Sequence, residues 1–290
     1  MTCKNTYHLN NGLVVTDTQL DWWNESVAKL ASPIEVLHWA VTTFPHLYQM
    51  TAFGLTGLAT IDMLSKLPAL DGRIVPLIFI DTLHLFPQTL SLLHKVEDRY
   101  YKPRSQPIHI FRPAGVSTEK EFADMYGSCL WETDEDKYDF IAKVEPAHRA
   151  FRSLGVSVVL TGRRRSQGGS RGQLNFVEVD EVNAVLKINP FATWSFDQVW
   201  SYILENQVPY NELLDYGYKS IGDYHSTLPV VDGAEERSGR WKGKAKTECG
   251  LHTASKYAQY LLEQEAKLKK IENSESSDTG SRTRVSTVRA

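Results

Sequence analysis

The chain has 290 residues, of which 42% are hydrophobic and 23% charged, and its formal net charge is −3. That is enough material for one large domain or two small ones around a buried core, with the composition of an ordinary globular protein. A slightly negative balance excludes a bulk polycation built for nucleic acid or an anionic membrane surface, and no apolar run nears the roughly 20 residues of a membrane-spanning helix.

The first dozen residues lack the apolar stretch of a secretory signal. The three cysteines, Cys3, Cys129 and Cys249, are far apart and form no CxxC pair. No disulfide framework or cysteine metal site is therefore expected, and a cytoplasmic location fits best. Thr16 with Gln19, and Ser32 with Pro33 and Glu35, read as capping boxes that open two early helices. Thr118 with Glu121 and Ser195 with Gln198 mark two later starts.

Apolar runs at 47–53, 74–80, 108–111 and 156–160, with a weaker one at 185–188, predict buried strands. Helical patterns separate them at 58–66, 89–100 and 121–153. This alternation predicts an α/β fold, a parallel sheet sandwiched by helices, with ligands bound beyond the C-terminal strand ends. Residues 208–243 read mostly as loop, a short helix is expected over 253–269, and 271–290 has the composition of a disordered tail. The expected division is an α/β nucleotide-binding domain over 1–235 with a helical N-terminal region. A basic segment over 236–270 and the tail complete it.

The residues after each strand carry the chemistry. Thr51, Ala52, Phe53, Gly54, Leu55, Thr56 and Gly57 form a small-residue turn into a helix, where N–H groups can face an anion. Alone, this segment reads equally as a tight turn, and it lacks the Gly-Lys-Ser/Thr ending of a Walker loop. Asp81 and Thr82 follow the second strand, placed for a ribose or base, or simply to cap the next helix.

After the fourth strand, TGRRRSQGGSR (161–171) holds four arginines in nine residues and no acid. Guanidinium groups bind phosphate or sulfate oxygens in pairs, so Gly162, Arg163 and Arg164 mark a candidate anion site. A second cluster, Arg237, Arg240, Lys242, Lys244 and Lys246, stands just before Cys249. Nearby cations favour the reactive thiolate, although Glu248 opposes them, and His252 is either a partner or a helix-start residue. Cys249 is the candidate nucleophile.

Together these segments resemble the 3′-phosphoadenylyl sulfate (PAPS) reductases of assimilatory sulfate reduction, fungal type. The matching stretches are 51–57, FIDTLHLFPQT (79–89), KVEPAHRA (143–150), 161–171, VPYNELLDYGYKSIGDYHST (208–227) and ERSGRWKGKAKTECGLH (236–252). The resemblance implies an adenine-nucleotide α-hydrolase-like fold with a modified PP-loop and a flexible C-terminal catalytic segment. It also implies a homodimer in the cytoplasm. Lys143, Arg163, Arg164, Arg237 and Arg240 would meet the phosphosulfate or nucleotide phosphates, with Tyr218 and His252 close by. Cys249 would form an S-sulfocysteine that thioredoxin, the external electron donor, resolves to sulfite. The other product would be adenosine 3′,5′-bisphosphate.

The related adenylyl sulfate (APS) reductases hold a four-iron cluster on cysteines. The corresponding positions here are Tyr138, Asp139, Asp223 and Ser226, so no thiolate-ligated cluster, and no bound cofactor or metal, is expected. Neither nucleic acid nor membrane is expected as a partner. Two other readings remain: a PP-loop ATP-dependent ligase or thiolating enzyme, and a nucleotide-binding regulator without turnover. The 53–57 segment lacks the second glycine and the Asp-Ser of the ligase loop.

Overall fold

The computed structural model describes residues 5–231, 233–241 and 248. Cys249, His252, the expected helix over 253–269 and the tail lie outside the described residues. In chain order come β1 (Thr6–His8), β2 (Val14–Thr16), α1 (Asp17–Val27), α2 (Pro33–Thr43), β3 (Leu47–Met50) and α3 (Leu55–Ser65). There follow β4 (Leu77–Ile80), α4 (Pro87–Val96), β5 (His109–Phe111), α5 (Glu119–Tyr126), α6 (Leu130–Thr133), α7 (Glu135–Asp139) and α8 (Glu145–Ser153). The last are β6 (Val158–Leu160), β7 (Val177–Asp180), β8 (Val185–Ile188) and α9 (Phe196–Glu205).

All four capping boxes form. The amide of Thr16 donates to Gln19 Oε1 at 2.9 Å, and that of Ser195 donates to Gln198 Oε1 at 2.8 Å. Thr118 and Glu121 close α5 in the same way, and Glu35 accepts from the amide of Ser32 before Pro33 opens α2.

The main sheet has the order β5-β4-β3-β6-β8-β7. Its first five strands run parallel, and β7 pairs antiparallel with β8 at the edge. This is the expected layered α/β sheet with one antiparallel strand added. The alternation of side chains along each strand explains its two covered faces. Leu77 and Phe79 of β4, Val158 and Leu160 of β6, and Leu186 and Ile188 of β8 join the larger core under α2, α3, α4 and α9. Ile78, Ile80, Val159 and Val185 face the other way, onto Ala147, Ala150 and Phe151 of α8.

Three departures from the sequence reading have local causes. The strand expected over 47–53 stops at Met50, because Thr51 Oγ1 accepts the amide of Phe53 and turns the chain. The helical pattern over 121–153 is not one helix: α5 ends on Gly127 at φ 105°, and Cys129 adopts φ 52° before α6. The hairpin β1–β2 and the edge strand β7 carry no clear strand signal in the sequence, being three and four residues long, with polar residues breaking their apolar pattern.

Candidate active site

The chain moves outward from β3 through β4 to β5, then returns to the other side of β3 as β6. The C-terminal ends of β3 and β6 therefore flank a switch point, where a parallel sheet leaves a crevice for ligands. The two loops marked in the sequence leave these two strands. After β3, Phe53 takes a left-handed φ of 58°, and its ring stacks on Phe79 at 4.9 Å. That conformation delivers Gly54 to the N-cap of α3, where no side chain caps the helix. The first-turn N–H groups of α3 thus lack the usual side-chain acceptor and suit an anion.

Gly57 has no room for a side chain: a Cβ there would overlap Thr51 Oγ1 and lie 2.8 Å from the Thr51 Cβ. A Cβ on Gly162, in the loop after β6, would come within 3.3 Å of the Gly57 amide nitrogen. The two loops therefore pack back to back through their glycines.

The arginine loop is held by carboxylates from elsewhere in the chain. Arg163 pairs with Glu178 of β7; burial lowers its pKa, with the Glu178 charge opposing that shift. Arg164 is 1% exposed; its Nε donates to Thr56 Oγ1 at 2.9 Å and its Nη2 meets Glu236. Arg171 forks onto Glu248.

The segment 235–241 lies along the chain at 226–230, where the Leu228 amide donates to the Gly239 carbonyl and that of Trp241 to Ser226. This brings Arg240 over the Trp241 ring at 4.5 Å and against Gly222, where a Cβ would overlap its guanidinium.

Lys143 sits in a π-helical turn, Phe140–Val144, that joins α7 to α8. Its buried ammonium lies 2.7 Å from Asp139 Oδ1 and 2.8 Å from Asp223 Oδ2. Thr82 donates to Asp223 Oδ1 at 2.6 Å. Burial pushes the Asp223 carboxyl up, but the charge and hydrogen bond of Lys143, with help from Thr82, hold it well below the usual carboxylate range. Tyr138 lies over the ammonium, and burial pushes its phenol strongly up. Three of the positions considered for cluster cysteines, 138, 139 and 223, thus surround a lysine. Among the described residues, no group of three or more His, Cys, Asp or Glu is arranged to hold a metal ion.

One pocket gathers most of the sequence-marked residues. Phe53, Gly54, Leu55, Thr56, Gly57, Thr82, Lys143, Gly162, Arg163, Arg237 and Arg240 all line it. Asp81, Arg164 and Tyr218 do not. Asp81 accepts from the Leu83 amide and from Arg112 Nε. Arg164 lies beneath the loops, and the Tyr218 ring packs edge-on against Phe86 at 5.8 Å.

The pocket also takes in Gln167, Arg171, Lys219, Gly222, Asp223 and Glu236, none of which the sequence marks as a substrate-binding residue. Arg171 and Lys219 stand inside the segments already marked, but nothing in a loop sequence tells which side chains turn inward. Six cations, Lys143, Arg163, Arg171, Lys219, Arg237 and Arg240, share this lining with two acids, Asp223 and Glu236. Such a surface suits a ligand carrying several negative charges.

Comparison with known proteins agrees with this geometry. Residues 46–229 match the model of the phosphoadenosine phosphosulfate reductase domain. The chain is 61% identical over 257 residues to a phosphoadenosine phosphosulfate reductase of Saccharomyces cerevisiae, covering 88% of this chain and 98% of that one. It is 59% identical over 256 residues to one of Emericella nidulans, covering 88% and 82%. A crystal structure of phosphoadenylyl-sulfate (PAPS) reductase from Candida auris, a phosphate complex, is 53% identical. It covers 74% of this chain and 99% of that one, with a TM-score of 0.67. The matched stretch takes in β3 to β8 with the loops after β3 and β6, and at this identity the chain belongs to the phosphoadenosine phosphosulfate reductase family.

Proposed function

We propose that the chain reduces 3′-phosphoadenylyl sulfate to sulfite and adenosine 3′,5′-bisphosphate with thioredoxin as electron donor, in sulfate assimilation towards cysteine and methionine. The observation that carries this reading is the convergence of three anion-attracting segments on one crevice. They are the uncapped start of α3, the arginine loop after β6, and Arg237 with Arg240. A thiolate that attacks a sulfonate must approach a sulfur surrounded by anionic oxygens. Cations fixed around those oxygens in a partly dry cleft remove the repulsion.

In the proposed reaction the Cys249 thiolate attacks the sulfonate sulfur. The bond from that sulfur to the 5′-phosphate oxygen breaks, and the bisphosphate leaves with its electron pair. One thiolate of thioredoxin then attacks the Cys249 sulfur, and sulfite leaves with the electrons of the S–S bond. The second thioredoxin thiol resolves the mixed disulfide and frees Cys249. Sulfur gains two electrons and the dithiol becomes a disulfide, a role suited to thioredoxin at about −270 mV.

The main chain of Phe53, Gly54, Leu55, Thr56 and Gly57 would cradle phosphate beside Gly162 and Thr82. Lys143, Arg163, Arg237 and Arg240 would face the phosphosulfate. Arg164 and Asp81 would support the loops from behind, Arg164 through Thr56. Tyr218 and His252 remain nearby candidates. In the same proposal residues 1–235 form the nucleotide-binding domain and 236–270 bring Cys249. The protein would act as a cytoplasmic homodimer. Among the described residues, no helix is long and apolar enough to cross a membrane.

The test is sulfite release with thioredoxin, offering PAPS and APS side by side. PAPS should be consumed without ATP, and Cys249→Ser should bind the bisphosphate yet acquire no SO3 group by intact mass. An SO3 adduct on that variant, or a requirement for ATP, would overturn the reading.

A further inference from the structure

Residue 248 directly precedes the proposed nucleophile, and its carboxylate is tied into the pocket wall. Arg171 Nη2 donates to Glu248 Oε2 at 2.7 Å, and Arg171 Nε donates to Oε1, a two-point fork. Arg237 Nη2 reaches the same Oε2 at 3.3 Å. Glu248 is 8% exposed and Arg171 9%, so this is a buried contact rather than a surface pair. Arg171 is itself steadied by Gln167, which also bonds Glu236 at 3.2 Å. Burial pushes the Glu248 carboxyl up, but the hydrogen bond and charge of Arg171, followed by the charge of Arg237, hold it below its ordinary value.

A carboxylate beside a nucleophilic cysteine has the wrong sign, because it opposes formation of the thiolate. Two guanidinium groups on that carboxylate reverse the local balance. The same fork links the residue before Cys249 to two cations that line the anion pocket.

We propose that Glu248 is a positioning residue for Cys249: its fork on Arg171 and Arg237 docks the chain next to the nucleophile on the pocket's own cations. The inference rests on the reading of Cys249 as nucleophile. Bidentate arginine–carboxylate pairs fix orientation as well as distance, and orientation governs the rate of in-line attack more than it governs ligand affinity. Glu248 also occupies donors that a bound nucleotide can use. Its loss should therefore slow chemistry without weakening nucleotide binding.

The experiment compares the full-length parent with Glu248→Ala, Glu248→Gln, Arg171→Ala and the Glu248→Ala/Arg171→Ala double variant. One measurement is the single-turnover rate of S-sulfonation of Cys249 by PAPS, read by peptide mass. The other is the Kd for adenosine 3′,5′-bisphosphate. Glu248→Ala should lose at least about ten-fold in rate, with Kd within two-fold of the parent or tighter. The double variant should be no slower than the slower single one, since both remove the same link. Should Glu248→Ala prove poorly folded, Glu248→Gln, which keeps the volume but not the charge, must show the same split.

A rate within two-fold of the parent would overturn the inference. So would equal losses in rate and affinity, as general loosening of the pocket would give, or multiplicative losses in the double variant. Absence of S-sulfonation in the parent itself would instead overturn the proposed function.

Discussion

Asp223 shows how one buried residue joins stability to the site. Its side chain is 1% exposed and shared between Lys143, on a π-helical turn, and Thr82, just after β4. Replacing it with asparagine leaves the buried ammonium with Asp139 and removes a full negative charge. Breaking a buried pair costs about 3 kcal/mol, so Asp223→Asn should lower unfolding stability by about that amount at neutral pH. The sign with pH follows from the depressed carboxyl. Its contribution is fully present above the ordinary value of about 3.9 and is lost as pH falls through the lower folded value. Urea denaturation at several pH values should therefore show the gap between parent and variant narrowing below about pH 4. The aspartate was visible in the sequence, but its partners are not local, since Thr82 is 141 residues away.

Among elements, the edge strand β7 is one that the sequence concealed, and a helix completes it. Asn24 of α1 accepts from the Val177 amide at 2.9 Å and donates to the Val177 carbonyl at 2.9 Å. One side-chain amide thus takes the place of a neighbouring strand at Val177, the first residue of the edge. Asn24→Ala would leave both backbone groups without this partner, at a cost of roughly 2 kcal/mol in unfolding free energy. Chemical denaturation should show that loss with an unchanged slope, because the surface exposed on unfolding is nearly the same. The capping boxes behaved oppositely: Thr16, Ser32, Thr118 and Ser195 act on residues three positions away, so local spacing sufficed to find them.

At the scale of the molecule, the net charge of −3 conceals a cationic crevice. A nucleotide with several negative charges should be drawn to it, and salt should weaken that attraction as the screening length falls to about 3 Å at 1 M. In the sulfite-release assay, KM for PAPS should rise several-fold between low salt and about 0.5 M, while kcat at saturating PAPS changes far less. The order of strands explains where the charge gathers. The glycine loop and the arginine loop are more than 100 residues apart in sequence, yet β3 and β6 are neighbours in the sheet.

The sequence by itself determined the alternation of strands and helices and the helix starts, and it marked two loops as candidate anion sites. Each of these rests on local periodicity or composition. Only the tertiary structure decided that Arg171 and Lys219 turn into the pocket while Arg164 and Asp81 turn away, because loop side chains take their direction from distant partners. It also decided that Glu248 is forked on Arg171, 77 residues back in the chain. From spacing alone Glu248 was merely a charge of the wrong sign beside Cys249. The burial that makes its pairing strong comes from how the segments pack.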